Sequence, residues 1–206
     1  MAVNITVVTN DIIGNPVSGR LRVEQPALAS SGSILIPRIL EVSSSGSVVL
    51  SVASGVPANY YFTPDLGSDI GYFIGNLNPS TNGDFGTKVR AAASQAVGSH
   101  TYRAASGSFE ATGAAPTKPV LFSITVPAIL KSGVVIVPIN KLIADSFGSY
   151  SLSLPQTTDM YSPSGETIKA RLILDTLRVG FADMIVPALD GLKFSVTGTS
   201  AQLTNV

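Results

Sequence analysis

The sequence predicts an all-β protein: two tandem antiparallel β-sandwich domains of similar topology, with one short connecting helix. Three observations carry that expectation. The first is a duplication. Leu21-Arg-Val-Glu-Gln-Pro26-Ala-Leu-Ala-Ser-Ser-Gly32-Ser-Ile-Leu-Ile-Pro37 is answered by Phe122-Ser-Ile-Thr-Val-Pro127-Ala-Ile-Leu-Lys-Ser-Gly133-Val-Val-Ile-Val-Pro138. Pro26, Ala27, Ser31, Gly32 and Pro37 recur at one constant spacing, and the apolar Ile34-Leu35-Ile36 recurs as Val135-Ile136-Val137. A repeat this long is a domain rather than a solenoid unit, and half of 206 residues is an ordinary size for a small domain. The second observation is period-2 alternation of apolar and polar residues, the mark of a strand with one buried face. The third is punctuation: 19 Gly and 13 Pro break the chain into short runs, which favours strands over helices.

Taken in order, Asn4–Asn10 is β-rich and Asp11–Gly19 (DIIGNPVSG) is turn chemistry. Leu21 and Val23 open the first repeated strand. Ser30-Ser31-Gly32 then turns into Ile34-Leu35-Ile36, which Pro37 ends by removing a ladder donor. Beyond Gly46, Val48, Leu50 and Val52 share one face, and Ser47, Val49 and Ser51 the other. Tyr60-Tyr61-Phe62 and Gly71–Gly75 close the first domain, expected over residues 1–85. Thr87–Val97 (TKVRAAASQAV) is the expected helix, Ala-rich and followed by Gly98, within a Ser/Gly/Ala-rich connector over 86–107. The second domain is expected over 108–206, with a first strand near Ser108–Gly113. Gly148-Ser-Tyr-Ser-Leu-Ser-Leu154 answers Gly46-Ser-Val-Val-Leu-Ser-Val52 one residue out of phase with the earlier repeat. Ile168, Ala170, Leu172 and Leu174 alternate with Lys169, Arg171 and Ile173, and Met184–Pro187 and Leu192–Val196 finish the sheet.

Composition narrows the function classes. Thirteen basic residues balance thirteen acidic ones, so there is no basic footprint for nucleic acid. Cys is absent, which removes disulfides and thiolate metal sites. The N-terminus lacks the basic and apolar segments of a signal peptide, and the broken apolar runs predict no membrane insertion. Charged residues are only 13% of the chain, so part of the surface is expected to be covered in an assembly.

Catalytic chemistry is not legible. No P-loop, dinucleotide fingerprint or nucleophile elbow occurs, and the lone His100 in Val97-Gly-Ser-His-Thr-Tyr reads as an exposed turn residue. The expectation is a non-enzyme with no catalytic, cofactor or metal residues. Asp65–Asp69 and Asn76–Asp84 offer oxygen ligands without a calcium-loop spacing, so Asx turns are expected there. The aromatic run Tyr60-Tyr61-Phe62 must alternate between faces of a strand. At least one of the three should point outward, where it could stack on a sugar or seat a protein. These three, with Ile34 and Ile36 on a strand able to extend a neighbour's sheet, are the candidate interface residues.

The repeated unit resembles the immunoglobulin-like or prealbumin-like β-sandwich modules of bacteriophage tail and baseplate proteins. The resemblance is carried by the Asp11–Gly19 turn, the Ile34-Leu-Ile-Pro37 strand and the Gly-Ser strand. In the second copy it is carried by Val135-Ile-Val-Pro138, Phe147-Gly-Ser-Tyr-Ser-Leu-Ser-Leu-Pro155 and Met184-Ile-Val-Pro187. The first copy departs after Val52, lacking the following Pro and the closing Ile-Val-Pro. The resemblance implies a structural protein of the virion, made in the host cytoplasm: a tail fibre, baseplate or adaptor component. Its implied partners are other virion proteins, copies of itself and a host-surface glycan or receptor. A head-decoration (cement) protein and a carbohydrate- or receptor-binding adhesin are the alternatives.

Overall fold

The structure, a computed structural model, describes residues 1–25, 38–65, 71–109, 120–144, 148–174, 181–197 and 200–205. The expected all-β class holds, with strands gathered into sandwich-like pairs of sheets. In the first half these are β1 (Ala2–Asn10), β2 (Ser18–Gln25), β3 (Arg38–Ser45), β4 (Ser47–Ala53), β5 (Ala58–Pro64), β6 (Tyr72–Leu77) and β7 (Gly83–Asp84), followed by helix α1 (Phe85–Ala92). One sheet runs β3-β2-β5-β6, antiparallel throughout, and opposite it β1 pairs antiparallel with β4 and parallel with β7. The alternation read from sequence sets the inner faces. Val3, Ile5 and Val7 of β1, Leu50 and Val52 of β4, Leu21 and Val23 of β2, and Tyr60 and Phe62 of β5 are all buried in one cluster.

The second half contributes β8 (Tyr102–Ser108), β9 (Val120–Ile124), β10 (Ala128–Ile129), β11 (Val135–Ile136), β12 (Lys141–Ala144), β13 (Ser149–Pro155), β14 (Ala170–Ile173), β15 (Phe181–Met184), β16 (Leu192–Thr197) and β17 (Ser200–Asn205). Its sheets are β12-β9-β14-β15 and β13-β8-β16-β17. Setting β10, β11 and β17 aside, the order of the first half is repeated. β8 pairs antiparallel with β13 and parallel with β16, as β1 does with β4 and β7. β9 lies between β12 and β14, as β2 does between β3 and β5.

Two expectations are corrected. The strand matching β1 is Tyr102–Ser108, which begins within the expected connector (86–107) and reaches the expected strand only at Ser108, while residues 110–113 of that strand lie outside the described residues. Its sequence (YRAASGS) carries little apolar signal because Gly107 lies beneath the Tyr150 ring. A Cβ there would stand 2.8 Å from the Tyr150 hydroxyl. The helix spans Phe85–Ala92 rather than Thr87–Val97. It begins earlier because the Asp84 carboxylate accepts from the Thr87 N–H (2.7 Å), an N-cap within a stretch that reads as loop. It ends earlier because Ser94 takes a left-handed conformation (φ 57°) and Arg90 Nε donates to the Ala96 carbonyl (2.7 Å), drawing the chain aside.

The two sandwiches are joined through their cores. The short hairpin β10–β11 belongs to the second half in sequence, yet β11 pairs parallel with the end of β1, Thr9 opposite Val135 and Asn10 opposite Ile136. The Val137 N–H donates to the Asn10 carbonyl (3.0 Å). Ala128, Leu130 and Ile136 face the second core, whereas Ile129, Val135, Val137 and Ile139 face the first. Fully burying a side chain of this size contributes about 1.5–3 kcal/mol. In the opposite direction, Ile12 of the first half enters the second core. Asp11, itself buried, holds that turn by accepting from the Ile13 (3.0 Å) and Asn15 (2.9 Å) N–H groups, and it pairs with Lys141.

Candidate functional site

Strand β5 alternates inward and outward residue by residue. Tyr60 and Phe62 are fully buried, so neither is an interface residue in this chain. Both are core because the first sandwich closes over them, with the Phe85 ring of α1 centred 4.4 Å from that of Tyr60. Burial pushes the Tyr60 phenol up to about 12, and its hydroxyl has no hydrogen-bond partner. Tyr61 points outward, half-buried, with its ring 5.6 Å from that of Phe73. Ile34 and Ile36 lie outside the described residues. Their repeat counterparts Val135 and Val137 are buried in the core of the first sandwich.

Around Tyr61 the outer face of the β3-β2-β5-β6 sheet forms an open groove of about 490 Å³. Arg20, Arg22 and Glu24 follow one another at every second position of β2, so all three project to this face. Arg22 stands between Glu41 of β3 and Tyr61 of β5 and forms an ion pair with Glu24. Thr63 lies opposite Arg20, and Gly71 completes the lip. Along the same strands, Asn76 of β6 donates to Asn59 of β5 (2.8 Å).

A second polar cluster lies where the two halves meet. His100 is buried, contrary to its reading as an exposed turn residue, because the chain after α1 folds back over β10. The Gly98 N–H donates to the Lys131 carbonyl (2.9 Å), and the Lys131 N–H donates to His100 Nδ1 (3.3 Å). Nε2 meets no partner. Burial holds the imidazole below its ordinary value, and the cations Lys131 and Arg90 act the same way, against Asp159 and the Gln156 backbone. Arg90 is also buried, donating to the Ile129 carbonyl (2.8 Å), and Lys131 pairs with Asp159 (2.7 Å). Gly86 and Gly133 meet back to back here. A Cβ on Gly86 would collide with the Gly133 carbonyl, and one on Gly133 with the Asp84 carboxylate.

This cluster ties a neutral imidazole and two cations into the junction. Among the described residues, no group of three His, Cys, Asp or Glu side chains is placed to hold a metal ion. Asp84 is committed to its helix cap, and Asn82 accepts from the Asn4 N–H (2.8 Å).

No family model, curated protein or solved structure matches this chain. Among the described residues, no helix is long and apolar enough to cross a membrane. Sequence reasoning missed Arg90 and Ile12 as junction residues. A cation inside an otherwise apolar helical face (Phe85, Val89) was the available signal for Arg90, and Ile12 sat unnoticed in a segment read only as turn.

Proposed function

We propose that the chain is a non-enzymatic structural component of a phage virion, made in the host cytoplasm and built from two tandem immunoglobulin-like or prealbumin-like modules. It acts as a tail-fibre, baseplate or adaptor part through contacts with other virion proteins and with copies of itself. The observation that carries this reading is the β10–β11 hairpin, a piece of the second module that completes the sheet of the first. A joint made of backbone hydrogen bonds and shared core fixes the angle between modules, which a rigid spacer requires. Large apolar side chains left exposed on both halves (Val49, Leu142, Ile185 and Leu189) give neighbouring subunits something to cover. The low charge content agrees with a surface that is partly buried in an assembly.

The test is the mass of the purified full chain by light scattering across a concentration series. A defined homo-oligomer that survives dilution is expected. A monomer at every concentration would count against a fibre or baseplate part and favour the head-decoration alternative.

A further inference from the structure

We propose that the groove on the outer face of the β3-β2-β5-β6 sheet binds a neutral saccharide. The inference rests on the groove and not on the virion reading; subunit mass tests that reading, whereas ligand binding tests this one.

The floor combines two features that sugar recognition needs. One is an aromatic platform: the Tyr61 ring is half-buried, and the neighbouring Phe73 ring, 5.6 Å away, restricts its motion. A pyranose presents C–H groups on one face, and an aromatic ring held in place covers them at small entropic cost. The other is a border of paired donors and acceptors. Guanidinium groups donate in a planar fork, carboxylates accept at both oxygens, and vicinal hydroxyls satisfy both kinds at once. Arg20, Arg22, Glu24 and Glu41 supply them, and Thr63 adds a hydroxyl.

Charge selects among ligands. Among the described residues the lining holds two guanidinium groups and two carboxylates, which balance. An anion drawn to Arg22 would meet Glu24, its ion-pair partner, and Glu41, which stands directly opposite on β3. A cation drawn to those carboxylates would meet Arg22 in turn. An uncharged polyhydroxylated ring uses both signs and is repelled by neither. The geometry admits it: about 490 Å³ falls within the range of small-molecule sites. Gly71 leaves the lip without a side chain, where a Cβ would crowd the Thr63 hydroxyl at 3.2 Å. Ile39, 53% exposed and opposite Glu24, extends the face with a second apolar contact at the β3 edge.

The experiment is an NMR titration of the ¹⁵N-labelled full chain with lactose, cellobiose and N,N′-diacetylchitobiose, and with sialyllactose as the anionic comparison. Expected are saturable shifts in the amides of Arg20–Glu24, Glu41 and Asn59–Thr63 with at least one neutral sugar, and weaker binding of sialyllactose than of lactose. Tyr61→Ala should weaken binding about tenfold or more, while Tyr61→Phe, which keeps the ring, stays within about twofold of the parent. Circular dichroism establishes that both variants are folded. The proposal is overturned by any of three results: no shift with any neutral sugar, shifts unchanged in folded Tyr61→Ala, or tighter binding of the anionic sugar.

Discussion

The Tyr60 hydroxyl lies in the first core without a partner, although the ring around it is fully packed. A buried polar group in that state loses its hydration without compensation. Tyr60→Phe removes the oxygen and keeps the ring, so it should raise stability by about 1 kcal/mol. Urea denaturation is the measurement, and a lower midpoint at unchanged slope would mean that the hydroxyl has a partner in solution. His100 gives the opposite kind of residue-scale effect. Its imidazole is held below the ordinary value of 6.5 by burial, so the unfolded chain binds a proton that the folded chain refuses. Stability is therefore full above about pH 6.5 and declines as pH falls toward the depressed folded value. The groups facing it are Asp159, the Gln156 backbone, Lys131 and Arg90. A carboxyl group ordinarily titrates at about 4, well below an imidazole, and Asp183 is held lower still by its hydrogen bond to Arg171. The His100 slope is thus separable, and His100→Asn should flatten the pH dependence of the melting temperature above pH 5. A slope unchanged in that variant would assign it to another group.

At the scale of elements, the β10–β11 hairpin makes a testable connection between distant parts of the sequence. Val135 belongs by sequence to the second module but is buried in the core of the first. Val135→Asp places an uncompensated charge there and should cost about 3–5 kcal/mol. Hydrogen exchange should show the loss in first-module amides such as Val7 and Val52 as well as in the hairpin. Loss confined to the second module would show that the hairpin detaches without consequence. The elements also show how far the sequence could be read. Alternation in β4, β13 and β14 was legible because one apolar residue in two marks a half-buried strand. β8 was hidden because most of its residues are small, Gly107 lying under Tyr150, whose hydroxyl accepts from the Phe194 N–H (2.8 Å). The Pro127–Pro138 repeat was legible as a unit. Its destination was not, since the pattern of Ile129, Val135 and Val137 states that one face is buried and cannot state against which half. Tyr61 was legible as an outward aromatic by alternation alone, but the choice among Tyr60, Tyr61 and Phe62 required knowing which face the sheet buries.

At the scale of the whole molecule, the two cores exchange residues in both directions, Ile12 one way and Ile129, Val135, Val137 and Ile139 the other. Calorimetry of the full chain should therefore give one cooperative transition. Two resolved peaks would mean that the junction opens before either module melts. The same arrangement has a consequence for how such chains grow. In the first module, the chain leaves β7 for α1, and the end of β1 is filled by the hairpin of the module that follows. In the second, the strand in the matching position, β16, is followed by β17, and Phe194 of β16 packs on Phe109 just past the end of β8 (5.2 Å). The first module thus borrows a hairpin for its sheet, whereas the second extends its sheet with its own β17. During synthesis β1 is therefore made well before the strand that completes its end, so the first module cannot finish its sheet until β11 has been added.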